Sequence, residues 1–153
     1  MNSILKMLSA AVLLATFFYS GASATDHRVL MKNVGSNGEP MQYEPAFLRL
    51  AAGDSVTFVP EDAGHNAQMI EGMEPQGTEW WGGAIDKELT VTFGVAGLHP
   101  YKCGPHLEMG MVGLIQVDDV ITKINAAELN KLPAKARGRL KALLAKAGAP
   151  ISN

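Results

Sequence analysis

The chain has 153 residues, 47% of them apolar, with 13 basic and 15 acidic side chains and a net charge of −2. That balance excludes a nucleic-acid binder, which needs a strongly basic surface, while the length suits one domain with a real core. The single cysteine, Cys103, excludes an internal disulfide and leaves an odd thiol that needs a purpose of its own.

Residues 1–24 read as a secretory signal peptide. Lys6 sits in a short n-region, residues 7–19 are an apolar stretch, and Ala22-Ser23-Ala24 fits a small-residue cleavage site. The apolar run is short for a membrane span, which needs about 20 residues, so cleavage and a soluble exported product are expected. Cleavage after Ala24 leaves roughly 130 residues, one domain's worth, and removes Lys6, making the chain one unit more acidic. The new terminus, Thr25-Asp26-His27, offers an amine, backbone nitrogens and an imidazole, a square-planar set that suits Cu(II) or Ni(II). The simpler reading is that His27 begins the first strand.

From there, residues 27–31 are a strand candidate and residues 33–38 a turn rich in Asn and Gly. Residues 41–44 and 46–50 follow, split by Pro45, with Phe47 and Arg49 expected to face away from Leu48 and Leu50. Residues 55–59 are a strand by β-branched and aromatic content, ended by Pro60. Residues 61–66 form a loop that enters a short extended stretch, 67–70. Trp80 and Trp81 are adjacent on an irregular, extended segment, so one should be buried and the other at the surface. Residues 88–93 alternate as a strand does, and residues 98–103 and 111–117 are strands on either side of a loop. Residues 121–132 and 133–147 then read as two helices, with Pro133 at a first helical position, Gly148 just past the end and Leu140, Leu143 and Leu144 on one face. Lys131, Lys135, Arg137, Arg139, Lys141 and Lys146 make a basic face expected to be solvated. Short strands at near-regular spacing imply a sandwich or barrel: mainly β over residues 25–118, with two α-helices in residues 119–153 packed on it as part of the same domain.

The loop Cys103-Gly104-Pro105-His106-Leu107-Glu108-Met109-Gly110-Met111 concentrates soft donors. A thiolate, an imidazole and a thioether from one loop, joined by a second imidazole, make the trigonal His₂Cys set with a weak axial Met that suits copper in both oxidation states. His65, in Gly64-His65-Asn66, is the candidate for the second imidazole. Gly104 and Pro105 suit the bend, and Gly110 lets Met111 turn inward while Met109 stays at the surface. Asn66 is placed to hydrogen-bond across to the Cys103 loop and fix ligand orientation. A covalent haem would need a second cysteine in C-x-x-C-H, and zinc rarely takes a thioether. Only His27 and His99 remain beyond the two candidate ligands, too few for a separate three-His catalytic copper. The reading is therefore an electron carrier and not an enzyme. The alternative is a copper-binding chaperone or storage protein, although ligands drawn from two distant segments favour retention of the metal.

The stretch Tyr101-Lys102-Cys103-x-Pro105-His106-x-x-Met109-Gly110-Met111, the upstream Gly64-His65-Asn66 and Gly53-Asp54-x-Val56-Thr57-Phe58 closely resemble the pseudoazurins, a family of periplasmic cupredoxins. The resemblance spans residues 26–147. It implies an eight-stranded Greek-key β-sandwich and one type 1 copper on His65, Cys103, His106 and Met111, supported by Asn66 and Pro105. It implies single-electron transfer in the periplasm, by a monomer, to nitrite reductase or another denitrification enzyme. It also makes His106 the exposed ligand, in a docking patch formed by Met41, Pro105, Met109 and Lys102. Lysines that steer acidic partners are expected at the positions held here by Val34, Ala63, Trp80 and Gly82. Lys32, Lys87 and Lys102 remain, so either the partner is less acidic or docking relies more on apolar contact, with Trp80 a candidate for it.

Overall fold

The computed structural model describes residues 23–152. The expected signal peptide, but for Ser23 and Ala24, lies outside the described residues. Two four-stranded sheets face each other. One holds β1 (Asp26–Val34), β2 (Pro40–Glu44), β4 (Ser55–Pro60) and β6 (Leu89–Thr92) in the order β2-β1-β4-β6. The other holds β3 (Phe47–Leu50), β5 (Gln68–Met69), β7 (Gly97–Lys102) and β8 (Val112–Val117) in the order β3-β8-β7-β5. The chain changes sheet five times between β2 and β7, which interleaves the two sheets and makes β1/β4 and β3/β8 parallel pairs within otherwise antiparallel ladders. This is the mainly β sandwich expected. A further two-stranded ladder of β9 (Ile124–Asn125) and β10 (Ile151–Ser152) was not foreseen.

Strand periodicity explains where each residue goes. Leu48 and Leu50 point between the sheets, whereas Phe47 points to the helical side, as alternation requires. β8 is buried along its whole length because it is covered on both faces. Ile115 and Val117 face the inter-sheet core, and Val112 and Leu114 face the C-terminal helices. The inter-sheet core is aromatic. Tyr101 packs at 4.6 Å from Tyr43 and 5.1 Å from Phe58, and Phe58 stacks on Trp81 at 5.5 Å. Such offset and edge-to-face pairs add about 0.5–1.5 kcal/mol each beyond area burial. Of the adjacent tryptophans, Trp81 is buried and Trp80 is 63% exposed, one each way as expected.

Several boundaries move. Asn33 and Val34, expected in a turn, are the last residues of β1, because β1 pairs with β2 as far as Val34↔Pro40 and the turn begins only at Gly35. The first helix is not residues 121–132. It is α1 (Ala126–Lys131), started by the Asn125 side chain accepting from Ala127 N at 2.8 Å and stopped at Leu132, which is extended before Pro133. The preceding residues are held elsewhere: Thr122 Oγ1 accepts from Leu98 N, and Ile124 is in the small ladder. α2 (Ala134–Ala147) has Pro133 one position earlier than expected, at the N-cap, and ends on Gly148 at φ 72°, a left-handed conformation that favours glycine. Ala136, Leu140, Leu143 and Leu144 bury its apolar face on Leu98, Val112 and Leu114. Lys131, Lys135, Lys141 and Lys146 are exposed, but Arg139 is not part of a solvated face; its side chain is 20% exposed and turned inward.

Two carboxylates tie down the edges. Asp54 accepts from Thr25 N, Ala51 N and His27 Nε2, which fixes the start of β1 and commits the His27 ring to that strand. Glu44 accepts from Ser36 and from Lys32 Nζ, and these bonds hold its carboxyl far below the usual range, at about 2. Because the folded state holds that pKa down, the stabilisation is complete above the unfolded value of 4.5 and disappears as pH falls through about 2. Denaturant midpoints for the wild type and Glu44→Gln should differ near neutrality and converge as pH falls from 4.5 toward 2; a gap that stays constant would show that Glu44 makes no such contribution.

Candidate metal centre

The β7–β8 hairpin pairs in register up to Lys102↔Val112, and its nine-residue connection carries the donors. Cys103 N donates to Met111 O at 3.0 Å, closing the mouth of the loop. Inside it, Met109 N and Met111 N both donate to His106 O, and Gly110 N donates to Leu107 O. The chain reverses at Gly110, φ 86°, where a side chain would be strained. Met111 is thereby turned inward and fully buried, while Met109 is 41% exposed. Cys103 is fully buried, and His106 keeps part of its ring at the surface.

His65 arrives from the β4–β5 connection and is itself fully buried. Three contacts fix it. Its carbonyl accepts from Asp86 N at 2.8 Å, the Asp86 carboxylate accepts from Gly64 N, and its Nε2–H donates to Asn33 Oδ1 at 3.0 Å. The last bond sets the tautomer and leaves the Nδ1 lone pair directed at the Cys103 loop. Gly64, φ 96°, lets the two segments meet; a Cβ there would already touch His106 Cε1 at 3.6 Å. Asn66 joins the segments from the other side: Oδ1 accepts from Gly104 N at 2.8 Å, and Nδ2 donates to Gly83 O at 2.9 Å and to Gln68 Oε1 at 3.2 Å. This is the bond across to the Cys103 loop that the sequence suggested. Asn33 and Asp86 were not anticipated; Asn33 lies in a segment read as a turn and Asp86 between the elements, with no spacing signal tying them to His65.

The donor atoms form a tight triangle. His65 Nδ1 and His106 Nδ1 are 3.1 Å apart, and Cys103 Sγ lies 3.5 Å from His106 Nδ1 and 3.8 Å from His65 Nδ1. A triangle of those sides has its centre about 2.0 Å from each corner, close to the bond lengths at which imidazole and thiolate hold a d-block ion. Two ring nitrogens facing each other at 3.1 Å repel unless a proton or cation lies between them, and a trigonal N₂S set is what copper takes. The electrostatics agree. Burial, reinforced by the neighbouring His106, pushes the His65 pKa down and keeps its ring neutral, as a ligand must be. Burial pushes the Cys103 thiol up, while the backbone N–H groups of Asn66 and His106 pull the other way; a bound cation is what makes the thiolate the stable form there. Among the described residues, this trio is the one cluster of three His, Cys or carboxylate groups able to hold a metal. The sequence singled out the same three residues together with Met111, which the fold buries in the same loop.

The comparisons agree with that geometry. Residues 29–118 match the family of copper binding proteins described as the plastocyanin/azurin family. A pseudoazurin from Paracoccus pantotrophus is 42% identical over 140 residues, covering 92% of this chain and 95% of that protein. A pseudoazurin from Methylorubrum extorquens is 38% identical over 136 residues, covering 86% and 92%. Among solved structures, a pseudoazurin from Sinorhizobium meliloti superposes with a TM-score of 0.71 at 38% identity, covering 80% of this chain and 95% of the other. His65, Cys103, His106 and Met111 thus form a type 1 copper site, and the chain belongs to the pseudoazurins, electron-carrying members of the plastocyanin/azurin family of copper proteins.

Proposed function

We propose that this protein is an exported, periplasmic one-electron carrier that docks transiently, through the face around His106, on a redox enzyme, with nitrite reductase or another denitrification enzyme as its acceptor. The observation that carries this reading is the asymmetry of the site. His65, Cys103 and Met111 are fully buried and His106 alone reaches the surface. Copper held by His65, Cys103, His106 and Met111 would supply the one-electron Cu(II)/Cu(I) couple. The chain's own residues do the rest. Cys103, His65 and Met111 exclude water; Asn33, Asp86 and Asn66 keep the donors in place whichever oxidation state they serve; and the His106 edge gives a partner a short path to the centre. Three buried ligands from two segments also favour retention over release, which separates a carrier from the alternative chaperone or storage role.

The docking patch follows from position. Pro105 and Met109 are exposed beside His106, Met41 is half-buried at the start of β2, and Lys102 is partly exposed. Steering charge is scarce. Of the three lysines retained, Lys32 is occupied by Glu44 at 2.9 Å and Glu61 at 3.8 Å. Trp80, in contrast, lies exposed over Gly82, where an added Cβ would meet its ring at 2.8 Å. Gly82 bridges to Gln68, which shares the Asn66 side chain with the Cys103 loop. An aromatic ring on that rim is the kind of residue that anchors an interface.

Three outcomes are expected. The protein with one equivalent of Cu(II) should show an intense thiolate-to-copper absorption band and narrow copper hyperfine splitting in EPR; a pale, square-planar signal would take Cys103 out of the site and move the chaperone reading first. Met111→Gln should keep copper and lower the reduction potential, and an unchanged potential would mean that Met111 is not the axial ligand. The rate of electron transfer to an acidic nitrite reductase should change by no more than about threefold as the Debye length falls from about 30 Å to 8 Å, whereas Trp80→Ala should slow it by about tenfold. A steep salt dependence with no Trp80 effect would overturn docking by apolar contact.

A further inference from the structure

Arg139 is the one basic residue of α2 whose guanidinium turns away from solvent to bond the sandwich. Nη1 donates to Met41 O at 2.9 Å and Gly110 O at 3.0 Å; Nη2 donates to Pro40 O at 2.9 Å and reaches Glu39 Oε2 at 3.4 Å. Two of those acceptors sit at functional positions. Gly110 immediately precedes Met111, and Met41 belongs to the docking patch proposed above. Both have left-handed backbones: Gly110 at φ 86° and Met41 at φ 51°, a conformation that costs a methionine energy and persists only when its surroundings impose it. The helix presses on the same loop, since a Cβ on Gly110 would lie 2.9 Å from Lys135 Cγ and 3.3 Å from Arg139 Cδ.

We propose that Arg139 is a positioning residue for the copper centre: through the carbonyls of Gly110 and Met41 it fixes how closely the Met111 thioether approaches the metal and how the docking patch is presented beside it. The inference rests on the copper site described above. Helix attachment does not account for the arrangement, because Ala136, Leu140, Leu143, Leu144 and Ala147 already bury the apolar face of α2. The planar fork also matters. It reaches three carbonyls on two chain segments at once, which a lysine ammonium on a flexible stem does not reproduce. Without it, the loop can relax at Gly110 and the thioether can retreat. A retreating axial donor supports Cu(II) less, so the potential rises.

The test is the copper-loaded protein and three variants, read by visible spectrum, EPR and reduction potential, with melting of the copper-free forms alongside. Residues that orient ligands alter metal affinity by about 10–100-fold when removed. Arg139 acts one step further out, so Arg139→Gln should raise the ratio of Cu(I) to Cu(II) affinity by about tenfold and change the relative intensity of the copper–thiolate bands. Arg139→Lys should move both in the same direction by less. Glu39→Gln, which removes only the exposed ion pair, should move neither. A lowered melting temperature with spectrum and potential unchanged in both Arg139 variants overturns the proposal, and so does a Glu39→Gln shift as large as that of Arg139→Gln. If Arg139→Gln does not fold, Arg139→Lys decides by the same criteria. Failure of the wild type to give a type 1 spectrum removes the copper reading itself, and the proposal with it, before any variant is compared.

Discussion

The hydrogen bond from Gly104 N to Asn66 Oδ1 is the joint on which the centre depends. It links the segment that carries His65 to the loop that carries the other three ligands. These are distant in sequence, His65 on the β4–β5 connection and the other ligands on the loop between β7 and β8. A backbone hydrogen bond to a side chain contributes about 0.5–1.5 kcal/mol net, too little to assemble a site alone. Its effect is geometric. The same asparagine spends its amide on Gly83 O and Gln68 Oε1, and its carbonyl receives the Tyr43 hydroxyl at 2.7 Å. Tyr43 packs on Tyr101, two residues before Cys103. Moving Asn66 therefore disturbs the ligand loop and the aromatic core together, and the core's close packing transmits rigidity to the donors.

Burial divides the labour among the ligands. His65, Cys103 and Met111 lie where water is excluded, so the charge of the metal–thiolate pair acts at low dielectric and strongly. His106 lies at the rim with Pro105 and Met109. A carrier needs both conditions, a protected redox centre and one conducting edge. An enzyme would need an open coordination position, and a chaperone an accessible set of donors. Trp80 is exposed and Lys32 is paired with Glu44, and neither belongs to the donor set.

Much of this was legible in the sequence because it is local. Cys103, His106 and Met111 share one loop, so their spacing alone specifies a donor set. Alternation on β3, and the leucines of α2, name the buried faces directly. The Trp80–Trp81 pair splits by simple geometry. What stayed hidden is pairing between segments. Asn33 reads as turn chemistry, yet β1 runs through it to reach His65. Residues 121–125 read as helix by composition, but Thr122 and Ile124 are taken by contacts with residues 98 and 150–151. Arg139 looks like one more cation on a solvated face; nothing in its neighbours announces that three carbonyls await it across the sandwich.

These hidden contacts share a purpose. Facing imidazole nitrogens at 3.1 Å are unfavourable for the chain by itself, and a flexible loop would relieve them by moving apart. It does not, because each donor is held from behind: His65 by Asn33 and Asp86, the Cys103 turn by Asn66, the Met111 turn by its own hairpin bonds and Arg139. Strain of this kind persists only where the surroundings over-determine the geometry. Held in that way, the donors have nowhere to relax when the charge on the metal changes by one. The small structural change on electron transfer that a fast carrier requires is thus a property of the scaffold, spread over residues that never touch the copper.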